Sequence, residues 1–130
     1  MFLQTMRKLI SSIVLLCSLV LIGCGGVTTP SESIGRQVFE NIKKDEIDKG
    51  VLKIKNFKKV NGQSYEILGV KGYKLEFESE IEYLQDVKGQ AMFSLAIKTI
   101  HKKGDIDKQK GTLTFEETEK GWKAQDGKVY

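Results

Sequence analysis

Few side chains in this 130-residue sequence are suited to covalent or metal chemistry: two cysteines and one histidine stand out. Cys17 lies inside an apolar segment and Cys24 lies directly behind it. Because a thiolate is a strong nucleophile and metal ligand, Cys24 is the residue best placed for a covalent modification. Removal of the apolar segment would take Cys17 away and leave Cys24 as the only sulfhydryl. The sequence therefore predicts a domain that folds without a disulfide.

Residues 1–23 have the three parts of a secretory signal. Arg7 and Lys8 supply the positive charges, and residues 9–22 form a 14-residue apolar segment that only serines interrupt. This segment is shorter than the roughly 18–20 residues that a membrane-spanning helix requires. Met6, directly before the charges, is an alternative start of translation.

The signal closes on an aliphatic residue, a tolerant position, a small residue and a cysteine: Leu21, Ile22, Gly23 and Cys24. This motif resembles the lipobox of bacterial lipoproteins. The resemblance implies that the Cys24 thiol receives diacylglycerol through a thioether. It also implies that a signal peptidase cuts between Gly23 and Cys24, and that the new amine can take a further acyl chain such as palmitate. Two or three acyl chains give stable membrane anchoring; a plain signal peptide or a short signal anchor is the alternative.

The residues after the cysteine predict a short flexible tether, because Gly25, Gly26 and Pro30 disfavour regular structure. A short tether places the domain close to the membrane on its extracytoplasmic side. In lipoproteins of double-membraned bacteria an Asp after the cysteine resembles an inner-membrane signal, so Gly25 favours the outer membrane if the host has one. The expected organisation is a signal peptide, a lipidated cysteine with its tether, and one folded domain at 1–23, 24–32 and 33–130.

The chain behind the signal is close to charge balance. The sequence carries 21 basic and 17 acidic residues, and the signal holds two basic and no acidic ones, so 19 against 17 remain, a net charge of +2. A weak field of mixed sign gives no reason to expect a nucleic acid as partner. A chain of this length can bury one ordinary core by itself.

An amphipathic helix of about three turns is predicted behind Pro30. Ser31 or Ser33 can cap its first turn. Its apolar residues recur every three or four positions on one stripe, at Ile34, Val38, Phe39 and Ile42. Gly50 predicts the end of this helix or of the turn after it.

Strands are predicted behind Gly50. Residues 51–60, rich in β-branched side chains and lysine, predict a first strand. Asn61-Gly62 predicts a hairpin turn, and Tyr65–Val70 a shorter second strand. Residues 73–83 alternate apolar or small side chains with lysine and glutamate, which predicts a long antiparallel strand with one face on a core and one in water.

The C-terminal third continues this pattern. Residues 91–100 mix helix and strand signals and are assigned to a strand, and residues 101–110 predict a polar loop. Residues 112–117 alternate as another strand. The turn Glu119-Lys120-Gly121 leads into a last strand that holds Trp122.

The expected fold class is therefore α+β, with one N-terminal helix packed on a curved, mainly antiparallel sheet of about five or six strands. Over residues 33–124, and in the style of its last hairpin, this layout resembles small cystatin-like and NTF2-like envelope lipoproteins. Larger NTF2-like folds have several N-terminal helices, so a single helix favours the cystatin-like form. The resemblance implies no functional residue beyond Cys24.

Three groups of side chains are candidate sites. The first places four carboxylates on one strand face, at Glu76, Glu78, Glu80 and Glu82. A cation or a basic partner could use them, but calcium needs ligands that converge from a loop. The preferred interpretation is a solvated face that pairs weakly with lysines of the first strand, at Lys53, Lys55, Lys58 and Lys59.

The other two candidates are the histidine and the aromatic residues. His101 is the only histidine, so no site with several histidines exists, and its neighbours Lys102 and Lys103 indicate an ordinary surface residue. The aromatic residues could line a ligand pocket, although packing in the core or at its rim is preferred. They are Trp122, Tyr65, Tyr73 and Tyr83.

The sequence contains no Walker loop, dinucleotide fingerprint, CxxC pair or zincin motif. We therefore assign no catalytic residue, metal ligand or cofactor. The expected function is a non-enzymatic, lipid-anchored binding or accessory module, whose partners are the membrane and a protein or envelope component. The alternatives are a small-ligand-binding or weakly enzymatic domain, which a deep pocket with a partly buried carboxylate would favour, and an inhibitor or immunity-type lipoprotein.

Overall fold

The computed structural model describes residues 28–90 and 97–130, and of residues 90 and 97–99 only the backbone. The predicted signal, the lipobox and the first part of the tether lie outside the described residues, as do residues 91–96 of the predicted 91–100 strand. The elements, in chain order, are α1 (Glu32–Ile42), α2 (Lys44–Asp48), β1 (Leu52–Ile67), β2 (Val70–Tyr83), β3 (Val87–Gln90), β4 (Ile97–His101), β5 (Ile106–Thr118) and β6 (Gly121–Ala124).

Helix α1 forms where the apolar stripe predicts it. Ser31 is the cap: its Oγ accepts a hydrogen bond from the Ile34 N–H at 3.3 Å. Val38 and Phe39 are buried, whereas Ile42 is 48% exposed, so the buried stripe stops before the last turn. A second, five-residue helix, α2, follows and was not predicted.

Strands β1 and β2 form one long antiparallel hairpin, and its turn is not where the sequence predicts it. The assignment of the turn to Asn61-Gly62 was wrong. β1 runs through both residues, and the turn consists of Leu68 and Gly69, with φ of +52° and +80°. Two successive positive φ values are typical of the tight turns whose twist matches that of the flanking strands.

Gly62 serves packing instead of a turn. It follows a shift of register between Lys59 and Asn61, and its backbone lies beneath the Tyr73 ring. A Cβ atom at position 62 would overlap the Tyr73 hydroxyl. The local Asn-Gly signal therefore marks a place where a side chain crosses the strand, which is another use of glycine inside a sheet.

Four strands form one antiparallel sheet in the order β1-β2-β5-β6, and β3 pairs with β4 in a separate two-stranded sheet. The fold is thus α+β, as predicted. Within the described residues, the main sheet has four strands and not the predicted five or six, because β3 and β4 pair with each other, and it does not close into a barrel. The long strand over residues 73–83 is confirmed within β2, and so are the Glu119-Lys120 turn and the last strand with Trp122.

The predicted polar loop over residues 101–110 was wrong for most of its length. His101 ends β4, and β5 already begins at Ile106. Strand pairing overrides the polar composition here, because Lys108 and Lys110 stand opposite Glu80 and Glu78 of β2. The charges that suggested a loop are the solvent-facing side chains of a strand.

The core lies between α1 and one face of the main sheet. Phe39 of α1 packs against Phe57 of β1 and Phe77 of β2, with ring centroids 5.8 and 4.9 Å apart. Leu75 and Phe115 are almost completely buried in the same core. Burying such side chains is the main source of stability in a domain of this size.

Candidate functional site

Cys24 and the other residues of the predicted lipobox lie outside the described residues, and the chain enters the domain just behind them. We call Thr28–Ser31 the entry segment. Among the described residues, none of the helices has the length and apolar character needed to cross a membrane.

Trp122 of β6 holds the start of the entry segment. Its indole Nε1–H donates a hydrogen bond of 2.7 Å to the Thr28 carbonyl, and its side chain is 7% exposed. Its ring packs against that of Tyr73, with centroids 6.1 Å apart. A buried indole N–H needs an acceptor, and the entry segment supplies it.

Lys59 of β1 holds the other end of the entry segment. Its ammonium donates to the Pro30 carbonyl at 3.1 Å and to the Tyr73 hydroxyl at 2.8 Å. Its backbone N–H donates to the Glu32 carboxylate at 2.9 Å. The ammonium also lies 5.0 Å from the centroid of the Tyr73 ring. Pro30 itself is buried, so the chain is bound to the domain from its first described residues.

The entry segment therefore joins the two edges of the main sheet. Thr28 is bound by β6 and Pro30 by β1, which are the first and last strands in the sheet order. This docking was not foreseen, because the sequence predicts a flexible tether as far as residue 32. The contacts come from residues far along the chain, which local composition does not report.

Beside the entry segment, the second half of β1 and the turn of the β1–β2 hairpin are open to solvent. Every residue from Asn61 to Val70 is exposed. We call Ile67–Val70 the hairpin tip; it contains three large apolar side chains, with exposed fractions of 62% at Ile67, 99% at Leu68 and 47% at Val70.

A shallow depression connects the two features. Its lining includes Thr29 of the entry segment, Tyr65 and Gly72 of the hairpin, and Trp122. Tyr65 covers Gly72, where a Cβ atom would overlap its ring. The entry segment and the paired residues Tyr65 and Gly72 of the hairpin thus lie at the same end of the molecule.

The glutamate row lies on the solvent-facing side of β2, with lysines on either side. Lys53 pairs with Glu82 at 3.1 Å and Lys110 with Glu78 at 3.1 Å. Glu76 pairs with Lys74 of its own strand at 3.4 Å. Such exposed pairs contribute little to stability. The ladder of mixed charges fits the solvated-face interpretation better than a cation site.

Two of the four lysines expected beside this row are in register with it. Lys53 and Lys58 stand opposite glutamates, whereas Lys55 falls at a shift of register. Lys59 was wrongly placed: it stands opposite Phe77 and points to the core side. The bulges in β1 change which face each lysine takes, and alternation alone does not reveal them.

The four aromatic candidates do not line a common pocket. Trp122 and Tyr73 pack together near the entry segment, with Tyr65 close by, while Tyr83 lies at the other end of β2. His101 stacks on Tyr83, with ring centroids 4.0 Å apart, and is half-buried. Burial raises the pKa of Tyr83, and the nearby carboxylates of Asp107 and Glu46 add to this effect.

The sequence gives no sign of a polar cluster that ties α1 to the last residues. The Asn41 amide donates to the Asp126 carboxylate at 2.9 Å and to the Tyr130 hydroxyl at 3.0 Å, and this hydroxyl donates to Asp126. Burial alone would raise the pKa of Asp126, but hydrogen bonds from Tyr130, Asn41 and the Lys128 N–H outweigh it and lower that pKa. Burial and the Asp126 carboxylate raise the pKa of Tyr130.

Comparison of the chain with protein-family models, curated proteins and solved structures gives no match. Within residues 28–90 and 97–130, no group of three or more His, Cys, Asp or Glu side chains is arranged to hold a metal ion. The arrangement that the structure does provide is a docked entry segment beside an exposed hairpin.

Proposed function

We propose that this chain is a lipid-anchored envelope lipoprotein whose domain works as a non-enzymatic binding or accessory module. The lipobox pattern that ends at Cys24, directly behind a 14-residue apolar segment, carries this proposal. The acylated Cys24 holds the domain on the extracytoplasmic side of the membrane, and Gly25 favours the outer membrane if the host has one.

The docked entry segment supports a close attachment. Three residues separate Cys24 from Thr28, so their Cα atoms, four steps along the chain, lie at most about 14 Å apart. Because Trp122 binds Thr28, the domain has little slack between its surface and the anchor. A module attached in this way meets partners that are themselves at the membrane.

The filled core face favours a module that binds through its surface, and it argues against a domain with an internal ligand pocket. Phe39 occupies the space above Phe57 and Phe77, where a small-ligand domain would need a cavity. The Tyr73 hydroxyl is already bound by Lys59. The partner, a protein or another envelope component, would then meet the outside of the sheet or its edges. The single long helix on an antiparallel sheet is consistent with a cystatin-like form of this module.

Intact mass of the protein extracted from membranes tests the anchor. We expect a chain that starts at Cys24 and carries added acyl mass. The Cys24→Ala variant should lose both the cut and the acyl mass, because its side chain offers no nucleophile. Cys17→Ala is the matched control: it removes the other thiol and should leave the acylated mass unaffected.

An unmodified chain would contradict the proposal. A cut at another position, without acyl mass, would indicate a plain signal peptide. An uncut chain that remains in the membrane would indicate a signal anchor.

A further inference from the structure

The hairpin tip exposes apolar side chains to solvent, where they contribute no burial to the fold. Leu68 is 99% exposed and has φ of +52°, a conformation that favours Asn or Gly at this position of a tight turn. Ile67 and Val70 stand opposite each other in register and are both largely exposed. Isolated exposed apolar residues need no explanation, but three clustered at one protruding end do.

The tip lies at the end of the domain that the anchor reaches. Thr29 lines the same depression as Tyr65 and Gly72, so the chain enters beside this pair, which lies next to the tip. From Gly72 to the turn the hairpin extends by about 10 Å, that is, three residues at about 3.3 Å each. From Thr28 to Cys24 the chain can extend by about 14 Å. A membrane that holds a lipid on Cys24 is therefore within reach of the tip.

We propose that the hairpin tip inserts Ile67, Leu68 and Val70 into the surface of the membrane that holds Cys24. This inference rests on the proposed lipid anchor, which brings that surface within reach. Transfer of aliphatic side chains from water to the boundary between headgroups and acyl chains lowers their free energy. Tyr65, close behind the tip and 37% exposed, has the amphipathic ring that favours the headgroup level.

The charges next to the tip balance each other, which favours an apolar contact over an electrostatic one. Lys71 stands opposite Glu66 in the strand register, so the nearest basic residue is balanced by an acidic one. The tip should not depend on anionic headgroups, and high salt should leave its insertion intact. A narrow end of two strands, apolar at the turn, suits penetration of a lipid surface better than a broad docking face.

A fluorescent label at the tip tests this inference. In a chain without native thiols (Cys17→Ser and Cys24→Ser), Leu68→Cys introduces one labelling position for an environment-sensitive dye. The same label in the Cys24-containing protein, whose thiol is blocked by its thioether, reports on the acylated form. Both are studied in phosphatidylcholine vesicles, with and without phosphatidylglycerol. Because Leu68 is almost fully exposed, the substitution should not disturb the fold.

We expect a blue-shifted emission and severalfold stronger quenching by spin-labelled lipids than for a control label, equal in both lipid mixtures and in high salt. Lys103→Cys is the matched control, because Lys103 is also exposed and lies next to the start of β5, at the opposite end of the sheet. A water-like emission from position 68, equal to that from position 103, would overturn the inference. A shift that appears only when a membrane protein is added would also overturn it and indicate a protein partner.

The two proposals fail separately. Acyl mass on Cys24 without a shift at position 68 would keep the anchor and reject the inserted tip. A shift at position 68 in the chain that lacks both cysteines, together with an unacylated native chain, would reject the anchor and keep the tip.

Discussion

The near and far halves of β1, Leu52–Lys59 and Val60–Ile67, both pair with β2 but differ in their burial. In the near half, Leu52, Ile54 and Phe57 are buried on the face that α1 covers. In the far half, every residue of β1 from Val60 to Ile67 is exposed, although its pairing with β2 continues to the turn. Pairing alone thus extends a strand well beyond the part that holds the domain together.

The difference teaches which half carries stability and which is free to carry function. The far half of β1 is held in place by its partner, because β2 there is itself paired with β5 from Gly72 to Glu76. Tyr73 also packs over Gly62, and Tyr65 covers Gly72. Substitutions in the near half should therefore unfold the domain, and substitutions at the tip should change what the domain touches.

The largest effect should come from the core that covers the near half, where α1 packs on it. Phe39→Ala removes the ring that packs on Phe57 and Phe77 and should lower the free energy of unfolding by about 3–5 kcal/mol. Urea unfolding of the detergent-solubilised protein, followed by Trp122 fluorescence, measures it. Val70→Ala, at the tip, is the control and should change it by less than about 0.5 kcal/mol. If both variants lost the same free energy of unfolding, the near half would contribute no more to stability than the tip.

A smaller loss is expected at the boundary of the two halves. Gly62→Ala would push the Tyr73 hydroxyl aside and break its hydrogen bond with Lys59, so we expect a loss of about 2 kcal/mol. Gln63→Ala, next in the strand and exposed, controls for the substitution itself. If both variants unfold at the same urea concentration as the native protein, Gly62 does not brace the far half.

The cluster that ties α1 to the last residues should make stability depend on pH. The Asp126 pKa is lowered in the folded protein, so the carboxylate stabilises the fold above its ordinary pKa, and this contribution disappears as the pH falls through the folded value. Asp126→Asn should cost about 1 kcal/mol at neutral pH and less in acid. Unfolding curves between neutral pH and about pH 3 measure the slope. Glu119→Gln, in an exposed turn, should retain the native slope; an unchanged slope in Asp126→Asn would refute the assignment.

The smallest effect should have the opposite sign. Leu68→Asn places a residue suited to positive φ in the turn and should raise the free energy of unfolding by about 0.5–1 kcal/mol. Thermal unfolding, with Leu68→Ala as the control that retains the strain, measures it. A loss of stability in Leu68→Asn would mean that the leucine contributes to the fold and is not reserved for a partner.

Features that depend on neighbours in sequence were predictable. The stripe of α1, the alternation of β2 and the Glu119-Lys120 turn follow from local periodicity and turn chemistry. The prediction at Asn61-Gly62 was wrong because Gly62 makes room for the side chain of Tyr73, a residue on another strand. The same reason explains why Lys59, whose direction depends on a bulge, was placed on the wrong face.

Of the candidate site, the sequence predicts the attachment point but not the surface beside it. Cys24 stays a prediction, because it lies outside the described residues. The tip could not be found from the sequence, since its exposure depends on where the turn falls. The hydrogen bonds from Trp122 to Thr28 and from Lys59 to Pro30 join residues far apart in the chain, so no local sequence pattern predicts them.

The entry segment also determines how the domain meets mechanical load. Tension that arrives through residue 27 first acts on the bond between Thr28 and Trp122, at one edge of the sheet, and then on the bonds of Lys59 at the other edge. A force applied to a single edge strand would open its hydrogen bonds one after another. Here the bonds at both edges must break before the pull reaches α1, so the entry segment should shield the helix and the core from a force applied at its start.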